Sequence, residues 1–534
     1  MGHKCARTHS SDDEPPLPAS PGAVGRRAMS PDGQEPTAEQ PVRRLSVLHN
    51  AAFLVLAQVT TTALSIIMSA FLGRWLGAGD FGTLFLVTSN ITLAYVFVDW
   101  GQLGYLVGAI AQERGRSSEL LGSALVLRVA LALVTSSALA GIAQLLNYGA
   151  PVARLVALMA VTFLPTTMVN AISLVLRGHE RMDLEAGTTM AAAVLNSSLT
   201  ICVVLLGGHL PAIIAAGGIA GLFALALAVR NLRRLSLPAP SVTARALRDL
   251  LLGGGPFLVL NVALAAHPYV DATILAKLAP ATSVGWFGGA NRILGTLIFP
   301  AGVFGSACYP MLSRIAASEP ARFGPVARSA IRPMIVLGVL AAAGTYLFAD
   351  VGVSLVYSRA RFGPSIAVLQ AFAPYLLLVF INMVLGYTLL ANRGGRRSVF
   401  TAAKIGALLL GAWLDLLLVP HFQARYGNGG IGIALSCGAS EIVMTIAAVA
   451  LMPSQTLDRT VAGVFARSLC AAAAMLAAGI LLSHTPLAVR LIVCLGTFAA
   501  AAVALRLIGR DDLEMMRNAI RVRRGAAIAQ PGAQ

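Results

Sequence analysis

Residues 72–102 contain a short polar turn followed by an apolar run long enough to cross a bilayer. They read LGRWLGAGDFGTLFLVTSNITLAYVFVDWGQ. A hydrocarbon core about 30 Å thick needs about 20 apolar helical residues, and the run that follows Gly82 supplies them. Arginine, aspartate and several glycines lie just before this run. The segment therefore predicts two membrane helices joined by a tight turn.

The rest of the chain repeats this alternation of apolar runs and polar breaks. It has 534 residues, of which 57% are apolar and 12% are charged, and its mean hydropathy is +0.76. Soluble domains contain about 25% charged residues, so the composition excludes a water-soluble enzyme. We expect an all-α, polytopic membrane protein. The six cysteines show no C-x-x-C spacing, so they predict no metal site.

Apolar stretches of roughly 20 residues or more occur fourteen times after Arg44, separated by short polar breaks. Each is long enough to span the hydrocarbon core as a helix. The predicted spans are 50–72, 83–105, 121–144, 152–176, 187–207, 210–229, 251–275, 284–308, 333–357, 366–391, 399–419, 429–451, 464–483 and 488–508.

Basic residues are distributed unevenly between the two sets of connecting loops. If the first helix runs outward, the inner loops carry 18 of these residues and the outer loops carry 7. Cytoplasmic loops hold the excess of Lys and Arg in membrane proteins, so we expect both termini in the cytoplasm. The net charge of +17 then reflects attraction to an anionic inner leaflet, and no nucleic-acid partner is expected.

A short pattern recurs at the turn between the first two helices of each half. Leu72 begins LGR and is followed ten residues later by Gly82, whereas Leu275 begins LAK and is followed ten residues later by Gly285. Six helices separate the copies, so both begin on the same side of the membrane. This predicts parallel repeats about an axis along the bilayer normal, as in some alternating-access carriers.

The repeat suggests boundaries for the parts of the chain. The polar, proline-rich N-terminus is expected to be disordered because it buries too little apolar surface to fold. The predicted parts are a disordered cytoplasmic tail at 1–45, an N-terminal six-helix lobe at 46–229, a cytoplasmic linker at 230–249, a C-terminal six-helix lobe at 250–452, an extra helix pair at 453–508 and a cytoplasmic tail at 509–534.

Three stretches of the sequence carry a family resemblance. They are residues 72–102, LVLRGHERMD at 174–183, and GPFLVLNVALAAHPYVDATILAKL with VGWFGGANRI within 255–293. They resemble the Wzx-type oligosaccharide flippases, a polysaccharide biosynthesis family within the multidrug, oligosaccharidyl-lipid and polysaccharide exporter superfamily. The resemblance implies a multi-pass carrier of the bacterial inner membrane that moves an undecaprenyl-diphosphate-linked oligosaccharide to the outer leaflet by alternating access.

A pair of charged residues in helices seven and eight is the first candidate site. In the resembled family, helices one, two, seven and eight line the central cavity, which implies substrate contact for Arg292, Asp271 and Asn291. A guanidinium forms bidentate hydrogen bonds with phosphate oxygens, so Arg292 is the candidate for binding the diphosphate. We predict that Asp271 pairs with Arg292, and a purely structural ion pair is the alternative.

A polar stripe on helix one is the second candidate. It runs from Gln58 to Ser69 along one helical face. Together with Asn90 in helix two and Asn261 in helix seven, it would line the same cavity. Helix packing through small hydroxyl residues is the alternative interpretation.

Three further charged residues are candidates for coupling transport to an ion, H⁺ or Na⁺. Asp99 and Arg128 lie at similar depth in neighbouring helices, so we predict an ion pair that either couples transport or joins two helices. Glu441, near the middle of helix twelve, is either a proton relay or a neutral carboxyl bonded to a neighbouring helix. Asp415 lies near an outer helix end, where its carboxyl is expected to reach water.

Three function classes remain after these observations. A lipid-linked glycan flippase is favoured, and a cation-coupled small-molecule or multidrug exporter of the same superfamily is the alternative. A membrane glycan polymerase or ligase is disfavoured because the predicted outer loops are short. No G-x-x-x-x-G-K-[S/T] loop occurs, so neither ATP nor another cofactor is expected. Partners would be the lipid bilayer, the lipid-linked oligosaccharide and polysaccharide assembly proteins such as a polymerase.

Overall fold

The structure, a computed structural model, describes residues 40–145, 148–391, 396–453 and 456–507. The chain divides into two units, residues 1–49 and 50–534, and residues 40–49 of the first unit are helical. The tail predicted at 509–534 and residues 1–39 of the tail predicted at 1–45 lie outside the described residues. Residues 40–45 were expected to be disordered but begin a helix, in which Pro41 occupies the first turn, where proline is tolerated.

The described residues fold into helices joined by short connections, as the all-α prediction requires. The connection at 234–243 is the longest between consecutive helices. The helices are α1 Gln40–Asp99, α2 Gln102–Gln112, α3 Ser117–Leu145, α4 Ala150–Gly178, α5 Met182–Leu205, α6 Leu210–Arg233, α7 Ala244–Ala265, α8 His267–Leu278, α9 Ala281–Ser318, α10 Pro320–Val356, α11 Arg359–Phe362, α12 Ser365–Ala371, α13 Ala373–Ala391, α14 Arg396–Tyr426, α15 Gly430–Leu451, α16 Arg459–Leu481 and α17 Leu487–Ala504.

Thirteen segments of the described residues are long and apolar enough to cross a membrane. One of them, Leu56–Gln112, has 57 residues and would be about 85 Å long if it were straight. Gly77 interrupts it with φ 75° and ψ 177°, so it supplies two crossings rather than one. The described segments are therefore enough for fourteen crossings, and their number confirms the prediction of a polytopic all-α membrane protein.

Small residues bring neighbouring helices together. We call α1–α6 the N-terminal half and α7–α15 the C-terminal half. In the N-terminal half α4 packs on α5 and α6, and a Cβ on Gly218 would lie 2.8 Å from Thr162. In the C-terminal half α10 packs on α13, where Gly338 faces Phe380. Helices α16 and α17 pack on each other, and α16 packs on α10.

The two copies of the repeated pattern meet each other at one end of the helices. A Cβ on Gly82 would overlap the carbonyl oxygen of Ala281, and a Cβ on Gly285 would overlap the carbonyl oxygen of Ala78. The two contacts are equivalent in the repeat, because Gly82 and Gly285 are 203 residues apart, and so are Ala78 and Ala281. We call this contact the Gly82 end. It is a two-fold contact between the halves.

Two arginines bind the free carbonyl groups of helix ends near the Gly82 end. Arg74 donates from Nη2 to the Leu355 carbonyl at 2.6 Å and from Nε to the Val356 carbonyl at 3.2 Å. Arg361 donates from Nη1 to the Arg74 carbonyl at 3.0 Å. Each guanidinium thus lies at the negative C-terminal end of a helix in the other half, which joins α1 to the α10–α11 region.

The other end of the helices has its own close contact between the halves. Gly101 adopts φ 68° in the break between α1 and α2. A Cβ on Gly101 would overlap the carbonyl oxygen of Gly254 in α7, and a Cβ on Gly104 would overlap the ring of Phe257. Trp100 donates from Nε1 to the Leu251 carbonyl at 3.0 Å. The halves therefore touch at both ends of the bundle.

Candidate functional site

A cavity of about 500 Å³ opens within the N-terminal half. Its walls come from α1, α4, α5 and α6, and α9 of the C-terminal half contributes Arg292. Hydroxyl and amide groups supply most of the polar lining, and Arg292 is the one charged residue among the described residues that line it. The polar lining residues are Thr61, Ser65, Ser69, Thr88, Thr162, Thr166, Asn170, Thr188, Thr189, Asn196, Ser197 and Thr200.

The Arg292 side chain is exposed and donates one long hydrogen bond from Nη1 to Ser65 Oγ at 3.4 Å. It lies eleven residues after the start of α9 at Ala281, about 17 Å along the helix axis and hence near the middle of a bilayer. A cation at this depth is expensive in hydrocarbon. The cavity gives it a polar environment with most of its hydrogen-bonding capacity unused.

The polar stripe of helix one reaches the cavity only in part. Ser65 and Ser69 line it, and Ser69 also shares a 2.7 Å hydrogen bond with the hydroxyl of Tyr357. Gln58 donates to Thr62 Oγ1 at 3.2 Å on an exposed surface and is not among the described lining residues. Asn291 is half-buried and likewise lies outside the described lining.

A second cavity of about 350 Å³ adjoins the first, and the two share Phe163 and Asn170 as walls. Asp99, Arg128 and Asn261 line the second cavity. It therefore brings together two of the predicted coupling residues and one of the predicted cavity asparagines.

The predicted ion pair between Asp99 and Arg128 is present. Arg128 Nη2 donates to Asp99 Oδ1 at 2.5 Å, and the side chain of Arg128 is 1% exposed whereas that of Asp99 is 26% exposed. Arg128 also donates from Nε to Gln102 at 2.8 Å and from Nη1 to the Thr167 carbonyl at 3.0 Å. The guanidinium thus joins three helices, and the carboxylate is the partner that faces the cavity.

Asn90 connects the two halves. Its Oδ1 accepts a 2.8 Å hydrogen bond from Thr273 Oγ1 in α8, and Thr273 Oγ1 is also 2.9 Å from the Tyr269 carbonyl. The Asn90 side chain is buried. The structure therefore places Asn90 in a contact between helices.

The predicted pair between Asp271 and Arg292 is wrong. Asp271 is 1% exposed, and its neighbours lie within the C-terminal half: Cys437 Sγ donates to its Oδ2 at 3.3 Å, and His267 Nε2 lies 3.8 Å from its Oδ1. Arg292 instead faces the cavity. The two residues were placed at similar depth along their helices, but depth along the chain does not fix the direction in which a helix presents a side chain.

Two buried carboxyl groups meet beside α15. Asp271 and Asp415 lie within hydrogen-bonding reach of each other, and Ser436 Oγ donates to Asp415 Oδ1. Among the described residues, Asp271 Oδ1 and Asp415 Oδ2 are buried without a donor. Two adjacent buried carboxylates repel each other strongly, so this pair needs a shared proton or a cation. The expectation that Asp415 reaches water is wrong, because the residue is fully buried.

The same cluster has the donor types of a cation site. Ligand atoms of His267, Asp271 and Cys437 lie within 4.8 Å of one another. His267 Nε2 is buried and lacks a hydrogen-bond partner among the described residues. Gly411 makes room for this ring, because a Cβ there would overlap Nε2. Nitrogen, oxygen and sulfur donors of this kind bind protons and several metal ions.

Glu441 is a member of a buried ion pair rather than a lone carboxylate. Lys404 Nζ donates to its Oε1 at 2.9 Å, and Asn382 Nδ2 donates to its Oε2 at 2.5 Å. The pair joins α13, α14 and α15. Glu441 therefore has a fixed counter-charge, which the Asp271 and Asp415 pair lacks among the described residues.

Sequence analysis missed several of these residues. Lys404 lies eight residues into α14, which is deep enough to count as an intramembrane charge. Its position in the helix could therefore have identified it as a candidate site residue. Asn170 and Asn196 lie well inside their helices, where an amide is as unusual as a charge. The spacing of the cysteines predicted no metal site, and nothing in the position of Cys437 indicates the contact with Asp271.

Comparisons with known proteins agree with this architecture. A family model described as polysaccharide biosynthesis protein matches residues 47–316. Comparison with curated protein sequences finds no match.

Solved structures of three membrane proteins are similar to this chain. The lipid II flippase MurJ in an inward closed conformation is 13% identical, with a TM-score of 0.68 over 85% of this chain and 99% of that one. An inward-facing multidrug resistance transporter of the MATE family is 16% identical, with a TM-score of 0.55 over 78% and 95% of the two chains. A MOP superfamily transporter from Pyrococcus furiosus is 16% identical, with a TM-score of 0.51 over 81% and 95%. At identities this low, the structural similarity shows a shared fold and nothing more.

Proposed function

This chain belongs to the polysaccharide biosynthesis protein family, and on that premise we propose that it moves a lipid-linked oligosaccharide, carried on undecaprenyl diphosphate, across the bacterial inner membrane. The carrier would work by alternating access, opening the cavity first to one side and then to the other. The fold shared with a lipid II flippase supports this proposal. The product would pass to a polymerase or another polysaccharide assembly protein.

The observation that carries the proposal is the position of Arg292. Among the described lining residues, Arg292 carries the one guanidinium of a cavity whose polar lining is mostly hydroxyl and amide groups, about 17 Å along α9 from its start. A diphosphate offers oxygens to which the planar guanidinium can donate two parallel hydrogen bonds. The sugar would lie among the polar groups while the polyprenyl tail stays in the lipid.

The orientation follows from the distribution of basic residues. The positive-inside rule supports an orientation with both termini and the 230–249 linker in the cytoplasm. The Gly82 end then faces outward. Because the halves are in contact at the Gly82 end and also at the opposite end, the arrangement corresponds to an occluded carrier.

We place ion coupling at the buried acidic residues. Asp271 and Asp415 together need a proton or a cation, and a change in their occupancy alters the charge balance between α8, α14 and α15. Glu441 and the pair of Asp99 with Arg128 already have counter-charges. They remain candidates for a conformational step in which an existing ion pair opens.

The proposal is tested by reconstituting the full chain in liposomes and measuring the flipping of an undecaprenyl-diphosphate-linked saccharide. Arg292→Ala should abolish flipping, and Arg292→Lys should restore it in part because an ammonium keeps the charge but loses the two-pronged geometry. Arg314→Ala is the matched control, since Arg314 is an exposed arginine of the same helix. Normal flipping by Arg292→Ala at normal protein level would contradict the proposed contact.

A small-molecule exporter is the second candidate, and the cavity size supports it. A volume of about 500 Å³ lies within the usual range of small-molecule sites, about 300–1,000 Å³. A deletion strain distinguishes the two functions. Lipid-linked saccharide accumulating in the inner leaflet identifies a flippase, whereas unchanged saccharide with increased sensitivity to small-molecule drugs identifies an exporter.

A further inference from the structure

The wall of the large cavity that α4 and α5 form contains two asparagines in unusual positions. Asn170 lies twenty residues after the start of α4, and Asn196 lies fourteen residues after the start of α5. Both side chains are exposed, and both line the cavity. An amide that faces hydrocarbon without a partner loses several kcal/mol of hydration, so these groups indicate a water-filled or ligand-filled space.

The wall formed by α4 and α5 offers both hydrogen-bond donors and hydrogen-bond acceptors to a ligand. The hydroxyls of Thr162 and Thr189 donate to carbonyl groups of their own helices at 3.0 Å, so they present only lone pairs to the cavity. Among the described residues, no group hydrogen-bonds the amides of Asn170 and Asn196. Each amide therefore offers two N–H donors and one carbonyl acceptor.

The third helix of the wall leaves space beside these amides. A Cβ on Gly217 would lie 3.6 Å from Asn196 Oδ1, and a Cβ on Gly221 would lie 3.3 Å from Thr166 Oγ1. Bare backbone at these positions keeps the cavity open directly in front of the polar groups. A larger side chain at position 217 would extend into that space.

The charges that line the cavity indicate which class of ligand it can bind. Among the described lining residues there is no aspartate or glutamate, and Arg292 is the single cation. A cationic ligand would find no counter-charge here, and an apolar ligand would leave the amides unpaired, which is costly. A neutral polyhydroxylated group satisfies both the donors and the acceptors.

We propose that Asn170 and Asn196, with the threonines of α4 and α5, form a subsite for the hydroxyl groups of a neutral sugar. The inference rests on the proposed function and deepens it, because it places the first sugars of the substrate within the N-terminal half and the diphosphate at Arg292. The subsite predicts that the sugars nearest the diphosphate carry no charge.

The experiment measures binding to the full chain in lipid nanodiscs. The probes are undecaprenyl diphosphate alone and undecaprenyl diphosphate that carries a single glucose, galactose or mannose. The wild type should bind at least one sugar-bearing probe more tightly than bare undecaprenyl diphosphate. The double variant with Asn170→Ala and Asn196→Ala should lose about tenfold in affinity for that probe and keep its affinity for the bare lipid.

Three variants separate the outcomes. Arg292→Ala should weaken binding of both kinds of probe, whereas Ser198→Ala, an exposed residue on α5 outside the described lining, should change neither. Gly217→Leu should fill the cavity and reproduce the asparagine double variant without removing an amide. A wild type that shows no sugar preference, or a double variant that retains it, overturns the subsite but leaves the flippase proposal standing. Failure of the wild type to bind any probe overturns both.

Discussion

Gly82 and Gly285 lie against each other although 203 residues separate them in the chain. The nitrogen of Gly285 is 2.6 Å from the position that a Cβ on Gly82 would occupy. The contact is reciprocal, because each glycine also faces the repeat-equivalent alanine of the other half. Any side chain at either position must move the two helices apart.

Gly285→Val should therefore weaken the contact at the Gly82 end. A disulfide between Gly79→Cys and Thr282→Cys reports the contact, since a Cβ at position 79 would touch the Thr282 side chain, 3.9 Å from its Cγ2. We expect efficient cross-linking in the wild-type background and several-fold less with Gly285→Val. Gly295→Val is the control, because Gly295 lies in the same helix with nothing within 4 Å of its Cβ position. Equal cross-linking in all three backgrounds would contradict the contact.

Replacing Asp99 should destabilise the protein more than replacing Arg128, its partner in the ion pair. Asp99→Ala leaves a buried guanidinium without a counter-charge, and the loss of one partner from a buried pair costs about 3–5 kcal/mol. Arg128→Met leaves the carboxylate that is 26% exposed, which the cavity can hydrate, so its cost should be smaller. Thermal unfolding in detergent measures the difference. A larger loss for Arg128→Met than for Asp99→Ala would show that the hydrogen bonds to Gln102 and the Thr167 carbonyl outweigh the charge.

Asp415→Asn should abolish the coupling of transport to an ion gradient without destabilising the fold. The amide can still accept from Ser436 and can donate to Asp271, so the repulsion between two carboxylates disappears and the melting temperature should not fall. Gradient-driven flipping should be lost because the pair no longer exchanges a proton or cation. Flipping is measured with an imposed pH or Na⁺ gradient, and Asp80→Asn, an exposed carboxylate, serves as the control. A variant that still responds to both gradients would place coupling elsewhere.

Cysteine labelling checks the orientation. In a background without the native cysteines, Val242→Cys in the linker should resist an impermeant maleimide in intact cells, whereas Tyr426→Cys should react. Both positions are exposed, so access depends on the side of the membrane. Labelling after cell lysis shows that both thiols are reactive. The reverse pattern would require the opposite orientation or a different number of crossings.

Lowering the pH should weaken the turn between α4 and α5 through His179. Burial and, to a lesser extent, the nearby Arg114 hold the pKa of His179 below its usual 6.5, and its Nε2 lies 2.8 Å from Ser117 Oγ. The stability from the neutral ring is fully present above pH 6.5 and is lost as the pH falls towards the lower native pKa. His179→Gln should reduce the difference in melting temperature between about pH 7.5 and about pH 5.5. The exposed His421→Gln should leave it unchanged.

The crossings and the matched turns of the two halves could be predicted because they depend on local sequence. Apolar runs near the length of a bilayer must become helices there, and Gly82 and Gly285 occupy matched positions in two similar turns. The pair of Asp99 and Arg128 was also predictable, since adjacent helices brought two opposite charges to one depth. Asp271 was assigned the wrong partner. The packing of α8 on α14 and α15 determines which way the Asp271 side chain points, and that packing cannot be predicted from a single sequence.

The residues that the sequence analysis overlooked have a common physical reason. A sequence alone does not identify these residues as parts of a site, because their depth in the membrane must be combined with their neighbours in other helices. They are Asn170, Asn196 and Lys404. The lysine lies close to a predicted cytoplasmic loop and resembles a loop residue in the sequence. The asparagines share their helices with threonines such as Thr167 and Thr189, whose hydroxyls bond to carbonyl groups of the same helix, so the polar surface is difficult to recognise from the sequence.

The reciprocal contact at the Gly82 end has a consequence for the origin of the chain. A surface in which each residue meets its own equivalent is self-complementary, as in a two-fold symmetric dimer. An ancestral half-length protein with this turn could have paired with a second copy of itself before the two genes fused. Fusion then freed the halves from having to be identical. In that history one half kept the polar cavity and the other the paired carboxyl groups, so the proposed substrate site and the proposed coupling site would occupy different descendants of one module.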